Sequence, residues 1–444
     1  MTALVPLGGA RARPRHRRGI SATSDSREWM KCCITVAKGR PFGDKTSTKR
    51  KRSVRTPELS EEIVIEILVW LPVKSLLKFK SVCKAWRAII TDPIFIREHL
   101  RCSASKFEQD PSFIISPHTL DYVIPGERWP STFCNHIRFY QWQQGASAAK
   151  FMQAKDFRDV FNMVLYFAHC DGLVLAPTDR SLYVFNPATR DAITLPDSNH
   201  NKRQQGGASC CYCAGLGLDP RTGEYKVVQA FYRSMDPDTN IYRMGMEVFT
   251  ITGDGGGIWR EIMDDPPYPV ESWQTGLTIK GFLFWHIDKA RHKQQTPRGL
   301  LRLSLADETF GVTGLPDSMD PALDDAFALD VLHGELCVTA PTSDIALTIW
   351  TLPIQEDGQG QCWEQRCKIY VTNLCHPMAF LPGGQIILWK SSALYRYDLA
   401  TSELTVVCEL DRMRYQGRRA RTTWKNLFTF NVKPYTESLV RITI

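Results

Sequence analysis

Side chains able to do chemistry are plentiful here, but they are not arranged in arrays. Ten histidines are scattered along 444 residues. No Gly-x-Ser-x-Gly elbow presents a nucleophile and no His-Glu-x-x-His places two zinc ligands on one helix face. Nor does a Walker-type loop or spaced dinucleotide glycine fingerprint offer its amides to a phosphate. The GDGGG run at residues 253–257 lies between apparent strands and reads as a hairpin turn. The acidic pairs Asp264, Asp265 and Asp324, Asp325 fall in Pro-rich loops, where solvated charge is the ordinary reading. Among fourteen cysteines the densest groups are Cys210, Cys211, Cys213 and Cys362, Cys367, Cys375 beside His376. Neither group supplies the two Cys-x-x-Cys pairs of a tetrahedral zinc site, so buried or loop thiols are expected rather than a metal. No catalytic residue, metal or cofactor is assigned. Twelve tryptophans, with loop aromatics such as Tyr268, Trp273 and Trp424, suit either a recognition face or a core.

The elements that would position such groups divide by composition. The chain carries +8, yet residues 1–55 hold fifteen Lys or Arg against Asp25, Glu28 and Asp44, a local +12 that leaves −4 on the remainder. This leader, rich in Gly, Pro, Ser and Thr and without apolar period, is expected to be unfolded. Its run Lys49, Arg50, Lys51, Arg52 fits a nuclear import signal or a weak phosphate-binding patch. Its Arg-rich, acid-poor start also fits an organelle transit peptide. Residues 1–9 are too short for a secretory signal and precede the arginines instead of following them. The greasiest stretch, 63–73, is broken by Glu66 and Pro72, well short of the roughly 20 apolar residues that span a bilayer. Reduced thiols and a nuclear or cytoplasmic location, without a membrane partner, are therefore expected.

From Pro57 the pattern becomes helical. Ser60 is a suitable N-cap, and Glu61 and Glu62 place charge where the helix dipole favours it. The predicted helix, to about Leu71, is apolar around most of its circumference with only Glu62 and Glu66 as a polar strip, so it needs cover on more than one side. Pro72 ends it, a short helix takes in Ser75 to Phe79, and a third runs from about Ser81 until Asp92 and Pro93 stop it. A module this small cannot supply the cover from its own core, which implies a partner surface.

The segment 58–95, ELSEEIVIEILVWLPVKSLLKFKSVCKAWRAIITDPIF, resembles an F-box, the motif that docks substrate receptors on the Skp adaptor of Skp/cullin/F-box ubiquitin ligases. The resemblance implies that Leu59, Ile63, Ile67, Leu71, Pro72, Leu76, Val82, Cys83 and Trp86 form or support the adaptor surface. Ser60 departs from the proline many members carry there.

Beyond Leu100, short apolar runs separated by turn residues predict an all-β region. Strands are expected at 113–116, 172–176, 182–185, 225–231, 246–250, 282–286, 300–305, 335–339, 346–352, 385–389 and 394–397, none followed by a crossover helix. Three hairpins share a plan, starting at Leu182, Leu300 and Leu394, and glycine-containing turns recur at Gly172, Gly281, Gly334 and Gly383-Gly384. The intervals from Gly281 to Gly334 to Gly384, roughly 50 to 60 residues, fit four-stranded propeller blades, six or seven in number, with 427–432 closing the ring. In this order, DGLVL, NPATR, GLGLDPRTGEYKVV, WREI and NVKPYTESLV resemble the F-box-associated, kelch-like propeller of a large plant family, although the kelch double glycine survives only at Gly383-Gly384.

The expected architecture is thus an α+β multidomain chain. It has a basic leader (1–55), an all-α F-box (56–100), a linker (101–110) and a large all-β propeller (111–440). The resemblance implies a non-catalytic substrate receptor that meets cullin and RING subunits through a Skp adaptor and holds an unidentified target protein on its propeller. A glycan-binding or hydrolytic propeller, and a nuclear nucleic-acid binder using the leader, are the alternatives.

Overall fold

A computed structural model describes residues 59–118, 136–157, 161, 164–200, 213–236, 238–239, 241–252, 257–272, 274–292, 296–355, 362–410 and 429–442. The leader, Trp273, Trp424 and most of the GDGGG run lie outside them. Four helices come first: α1 (Glu61–Leu68), α2 (Val73–Phe79), α3 (Lys84–Thr91) and α4 (Pro93–Phe107). No helix of the described residues is long and apolar enough to cross a membrane.

The helical part corrects the reading at two points. Ser60 is extended at α1 but its hydroxyl caps nothing; only its carbonyl accepts, from Val64. Asp92 and Pro93 end α3 and at once begin another helix. The Asp92 carboxylate accepts the amides of Ile94 and Phe95 at 2.7 and 3.2 Å, and Pro93 takes a first-turn position where its missing N–H costs nothing. The supposed linker 101–110 is therefore mostly the last half of α4. That helix buries Phe95, His99 and Cys102 against Ile65, Leu68, Val73, Leu76 and Ile90. His99 Nε2 lies 2.9 Å from the Leu71 carbonyl.

Among the described residues the β region forms six four-stranded blades, four of them separate sheets and two, blades 3 and 4, joined into one eight-stranded sheet by parallel pairing of their inner strands, Ala214 with Thr275 and Gly215 with Gly276. Blade 1 contains β1 (Ser112–His118), β2 (His136–Gln143) and β3 (Lys150–Asp156). Blade 2 comprises β4 (Ala168–Cys170), β5 (Leu173–Pro177), β6 (Leu182–Asn186) and β7 (Asp191–Thr194). Blade 3 comprises β8 (Ala214–Leu218), β9 (Tyr225–Asp236), β10 (Ile241–Ile251) and β11 (Trp259–Glu261). Blade 4 comprises β12 (Thr275–Ile279), β13 (Phe282–His286), β14 (Gly299–Ser304) and β15 (Phe310–Gly314). Blade 5 is β16 (Ala328–Leu332), β17 (Glu335–Ser343), β18 (Ala346–Leu352) and β19 (Glu364–Ile369). Blade 6 is β20 (His376–Leu381), β21 (Gln385–Lys390), β22 (Ala393–Asp398) and β23 (Leu404–Glu409). The innermost strand of blade 1 comes from the other end of the chain: β24 (Thr429–Pro434) pairs antiparallel with β1, closing the ring as expected.

Local sequence explains the repeat. Turns from first to second strand use Asp171-Gly172, Lys280-Gly281 and His333-Gly334, with positive φ at both positions, as the right-handed twist of a two-residue hairpin requires. Turns from third to fourth strand in blades 2, 4 and 6 place Arg190, Glu308 and Ser402 at φ 68, 57 and 58, each amide returning to the carbonyl four residues back. Between neighbouring blades lie six apolar clusters, one per interface. In β1, Phe113 and Ile115 pack toward blade 6 while Ile114 packs toward blade 2, so successive residues serve opposite neighbours.

The last residues fasten the two parts together. After β24 the chain runs between propeller and helices, and Leu439 packs in the helical core with Ala188. Glu437 Oε2 accepts the Val73 amide at the start of α2 at 3.1 Å. Asn186, fully buried, donates its amide to the carbonyls of Ser438 and Val440 at 3.0 and 2.8 Å, while its own Oδ1 accepts Ala188 and Thr189. Asn186→Ala should cost about 2–4 kcal/mol, since it strands two buried carbonyls and a turn; chemical denaturation of the two proteins measures it.

Candidate functional site

The first candidate is the outer face of the helical module. Along α1, Ile65, Leu68 and Val69 point inward, whereas Ile63 and Ile67 are 44 and 50% exposed. Leu59 is 63% exposed and Val82, in the turn before α3, 60%. Pro72 and Cys83 are also exposed, Leu71 and Trp86 half-buried. Leu76 alone of the nine is fully buried, so it supports the face from beneath without touching a partner. Cys83 has a local task, its Sγ accepting the Trp86 amide at 3.4 Å to cap α3. Trp86 packs edge-on against Phe79, ring centres 5.3 Å apart. Sequence reading missed Trp70, 42% exposed and held by Lys106, whose ammonium lies 5.3 Å from its ring centre. Its spacing, seven after Ile63 and three after Ile67, was the available signal.

The propeller motifs turn out to be joints. Gly172 of DGLVL lies against the tail, an added Cβ falling 2.5 Å from Ser438 Cβ and 2.7 Å from the Thr436 carbonyl. Asn186 of NPATR holds the same tail. In GLGLDPRTGEYKVV, Tyr225 donates to Asp171 at 3.1 Å, and Lys226 Nζ reaches Asp219 at 2.9 Å, Glu308 at 3.0 Å and the Leu305 carbonyl at 2.7 Å. Arg260 of WREI closes the network on Glu308. Burial works to raise both acids, but the Lys226 ammonium at Asp219 and Arg260 with Lys226 at Glu308 outweigh it and hold both carboxyls below their usual range.

Lys226→Met should therefore destabilise the fold by about 3–5 kcal/mol at neutral pH, leaving Asp219 without its cation. Carboxyls depressed in the folded state contribute stability above their unfolded values, and that contribution disappears as pH falls through the depressed ones. The stability gap between wild type and variant should close below about pH 4, measurable by urea denaturation across pH.

Three of the four acids in the pairs noted from the sequence, Asp265, Asp324 and Asp325, are held by cations as well. Asp324 takes Arg298 through both oxygens at 2.8 and 2.9 Å, and Asp265 takes Arg233 at 2.6 Å. Tyr268 packs against the core between blades 3 and 4. Among the described residues, no group of three or more His, Cys, Asp or Glu is placed to hold a metal ion.

The second candidate is the central channel, a cavity of about 1360 Å³ lined by all six inner strands. Leu100, Ala104 and Phe107 of α4 line it at the end where β24 leads into the tail. Inside, Asp330 meets His376 Nδ1 at 2.8 Å. Burial alone would raise the Asp330 carboxyl, but His376, with Lys433 and His286 behind it, brings it below the usual range. Burial also drives His169 and His286 down to about 4, so both imidazoles are neutral at physiological pH.

Two family descriptions match the chain: "F-box domain" over residues 57–98 and "F-box associated beta propeller domain" over residues 133–398. A putative F-box protein of Arabidopsis thaliana is 25% identical over 267 residues, covering 58% of this chain and 65% of that protein. Another F-box protein of the same plant is 27% identical over 333 residues, covering 72 and 71%. A third, an F-box/kelch-repeat protein, is 26% identical over 269 residues, covering 59 and 62%. The chain thus spans less than two thirds of the length of the first and third of these relatives.

Proposed function

The chain belongs to the family of F-box proteins with an F-box associated β-propeller domain, and from that premise we propose that it is the substrate-recognition subunit of a Skp/cullin/F-box ubiquitin ligase. The observation that carries this reading is the apolar face left open on the helices, Leu59, Ile63, Ile67, Trp70 and Val82 together, in a module whose inner face is already packed. A soluble module leaves such a group of large side chains uncovered where a partner covers it. The Skp adaptor is that partner, with cullin and RING subunits beyond it, in nucleus or cytoplasm.

The helices and tail cover the propeller face that bears the first-to-second-strand turns, so the opposite face is the one we assign to the target. Six exposed apolar side chains support this, since strand direction places Tyr166, Met235, Met263, Ile345, Tyr370 and Leu374 all at that opposite end. The chain itself transfers nothing. The tail contacts fix the propeller relative to the docking helices, so a bound target is held at high effective concentration near the conjugating enzyme.

The test is co-purification of the full chain with a Skp adaptor by size-exclusion chromatography. A stoichiometric complex is expected, and a folded chain that stays monomeric beside excess adaptor overturns the assignment.

A further inference from the structure

We propose that the central channel binds a small organic anion, one bearing a carboxylate or a phosphate group. Buried polar groups in folded proteins find partners, and each one left alone costs about 1–3 kcal/mol. Around this cavity several are left alone. Asn431, 1% exposed on β24, has no partner for either its amide nitrogen or its carbonyl oxygen. Trp285 Nε1 and His169 Nε2 are buried and equally unpartnered. All three residues line the channel. Trp285 lies against Gly276 of β12, where an added Cβ would fall 2.7 Å from the indole nitrogen.

The unspent capacity has a sign. The Asn431 amide and the Trp285 indole are N–H donors, and an indole nitrogen can do nothing but donate. Lys433, two residues from Asn431 on the same strand and therefore on the same side, also lines the channel. It forms no ion pair with any described residue, while standing within electrostatic range of both His169 and Asp330. The channel's carboxylates are already engaged or peripheral. Asp330 holds His376, Asp171 accepts the Tyr225 hydroxyl, and Glu108 comes from just beyond α4 at one end. What remains beside a space large enough for a metabolite is one ammonium, the two N–H donors and the Asn431 carbonyl oxygen, and an organic anion that also carries a hydroxyl satisfies all of them. Water would serve the donors but would leave the Lys433 ammonium with only Asp330, a carboxylate that His376 already holds, as the negative charge in its range.

The experiment uses the full chain and three probes, glucose 6-phosphate for the phosphate arm, citrate for the carboxylate arm and glucose as the neutral control. Isothermal titration is paired with mass spectrometry of small molecules released on denaturing the purified protein. Saturable binding of one anion, or release of a bound anion, is expected from the wild type. Lys433→Gln, a polar change at a channel-facing position, should weaken that binding about tenfold or more. Asn431→Leu, which removes both orphan atoms, should do likewise while leaving the melting temperature unchanged or raised. Glucose binding as tightly as the anions, anion binding unaltered in Lys433→Gln, or an empty channel that takes neither anion each overturns the proposal.

Discussion

Ile67→Asp combined with Val82→Asp is expected to abolish adaptor binding while the protein stays folded. Both side chains are at least half exposed in the free chain, so the substitutions open no cavity and strand no polar group. At the centre of an interface, each buried aliphatic anchor replaced by a charge costs about 2 kcal/mol or more, so the pair should weaken the complex by more than about a thousandfold. Leu76→Asp would be a poor substitute, because that side chain is fully buried and its loss would collapse the module. Surface plasmon resonance against the Skp adaptor, with circular dichroism of both proteins, checks the prediction. Unchanged affinity in the folded double variant would remove this face from the interface.

The second large effect is expected at Gly172. Gly172 and Gly334 occupy the same turn position in different blades, with φ of 80 and 77°. Alanine at either must accept the left-handed region, at about 1–2 kcal/mol. At Gly334 nothing lies within 4 Å of the new Cβ, so that cost is the whole effect. At Gly172 the Cβ would meet Ser438 Cβ at 2.5 Å and a backbone oxygen at 2.7 Å, and the tail cannot yield without giving up its Asn186 bonds and the seat of Leu439. Gly172→Ala should therefore cost about 2–3 kcal/mol more than Gly334→Ala, the scale of two lost hydrogen bonds and the partial uncovering of the buried Leu439. It should also separate unfolding of the helices from that of the propeller, which wild type should show as one transition. Denaturant curves followed by near-ultraviolet and far-ultraviolet signals compare the two variants; equal costs would show that the tail does not lean on Gly172.

The pattern of which strands were legible follows from position in the blade. The eleven strands expected from apolar runs alone are all second or third strands, and among them β5, β6 and β18 are buried without interruption. Two apolar neighbours, one on each side, require a continuous apolar run. The outer strands carry little such signal, as EQRCKI in β19 and LTVVCE in β23 face solvent along most of their length. Three of the six inner strands are very short or glycine-bearing, AHC in β4, AGLGL in β8 and TGLTI in β12, as blades crowd together at the axis. Gly276 there is pressed by Trp285. Helix α4 escaped for another reason, since Asp92 and Pro93 stop one helix and start the next with the same residues.

By itself the sequence determined the order of the parts, the helical docking motif, the blade-type repeat and the absence of any familiar catalytic array, because each of these is a local pattern of residue types. Only the tertiary structure decided the six-blade count, the closure by β24, the burial of Leu76, the exposure of Trp70 and the gathering of DGLVL, NPATR and the tail at one seam. It also decided that Asn431, Lys433, Trp285 and His169 share one channel. Those residues stand up to 264 positions apart, and no local spacing encodes a meeting that arises only when the ring closes.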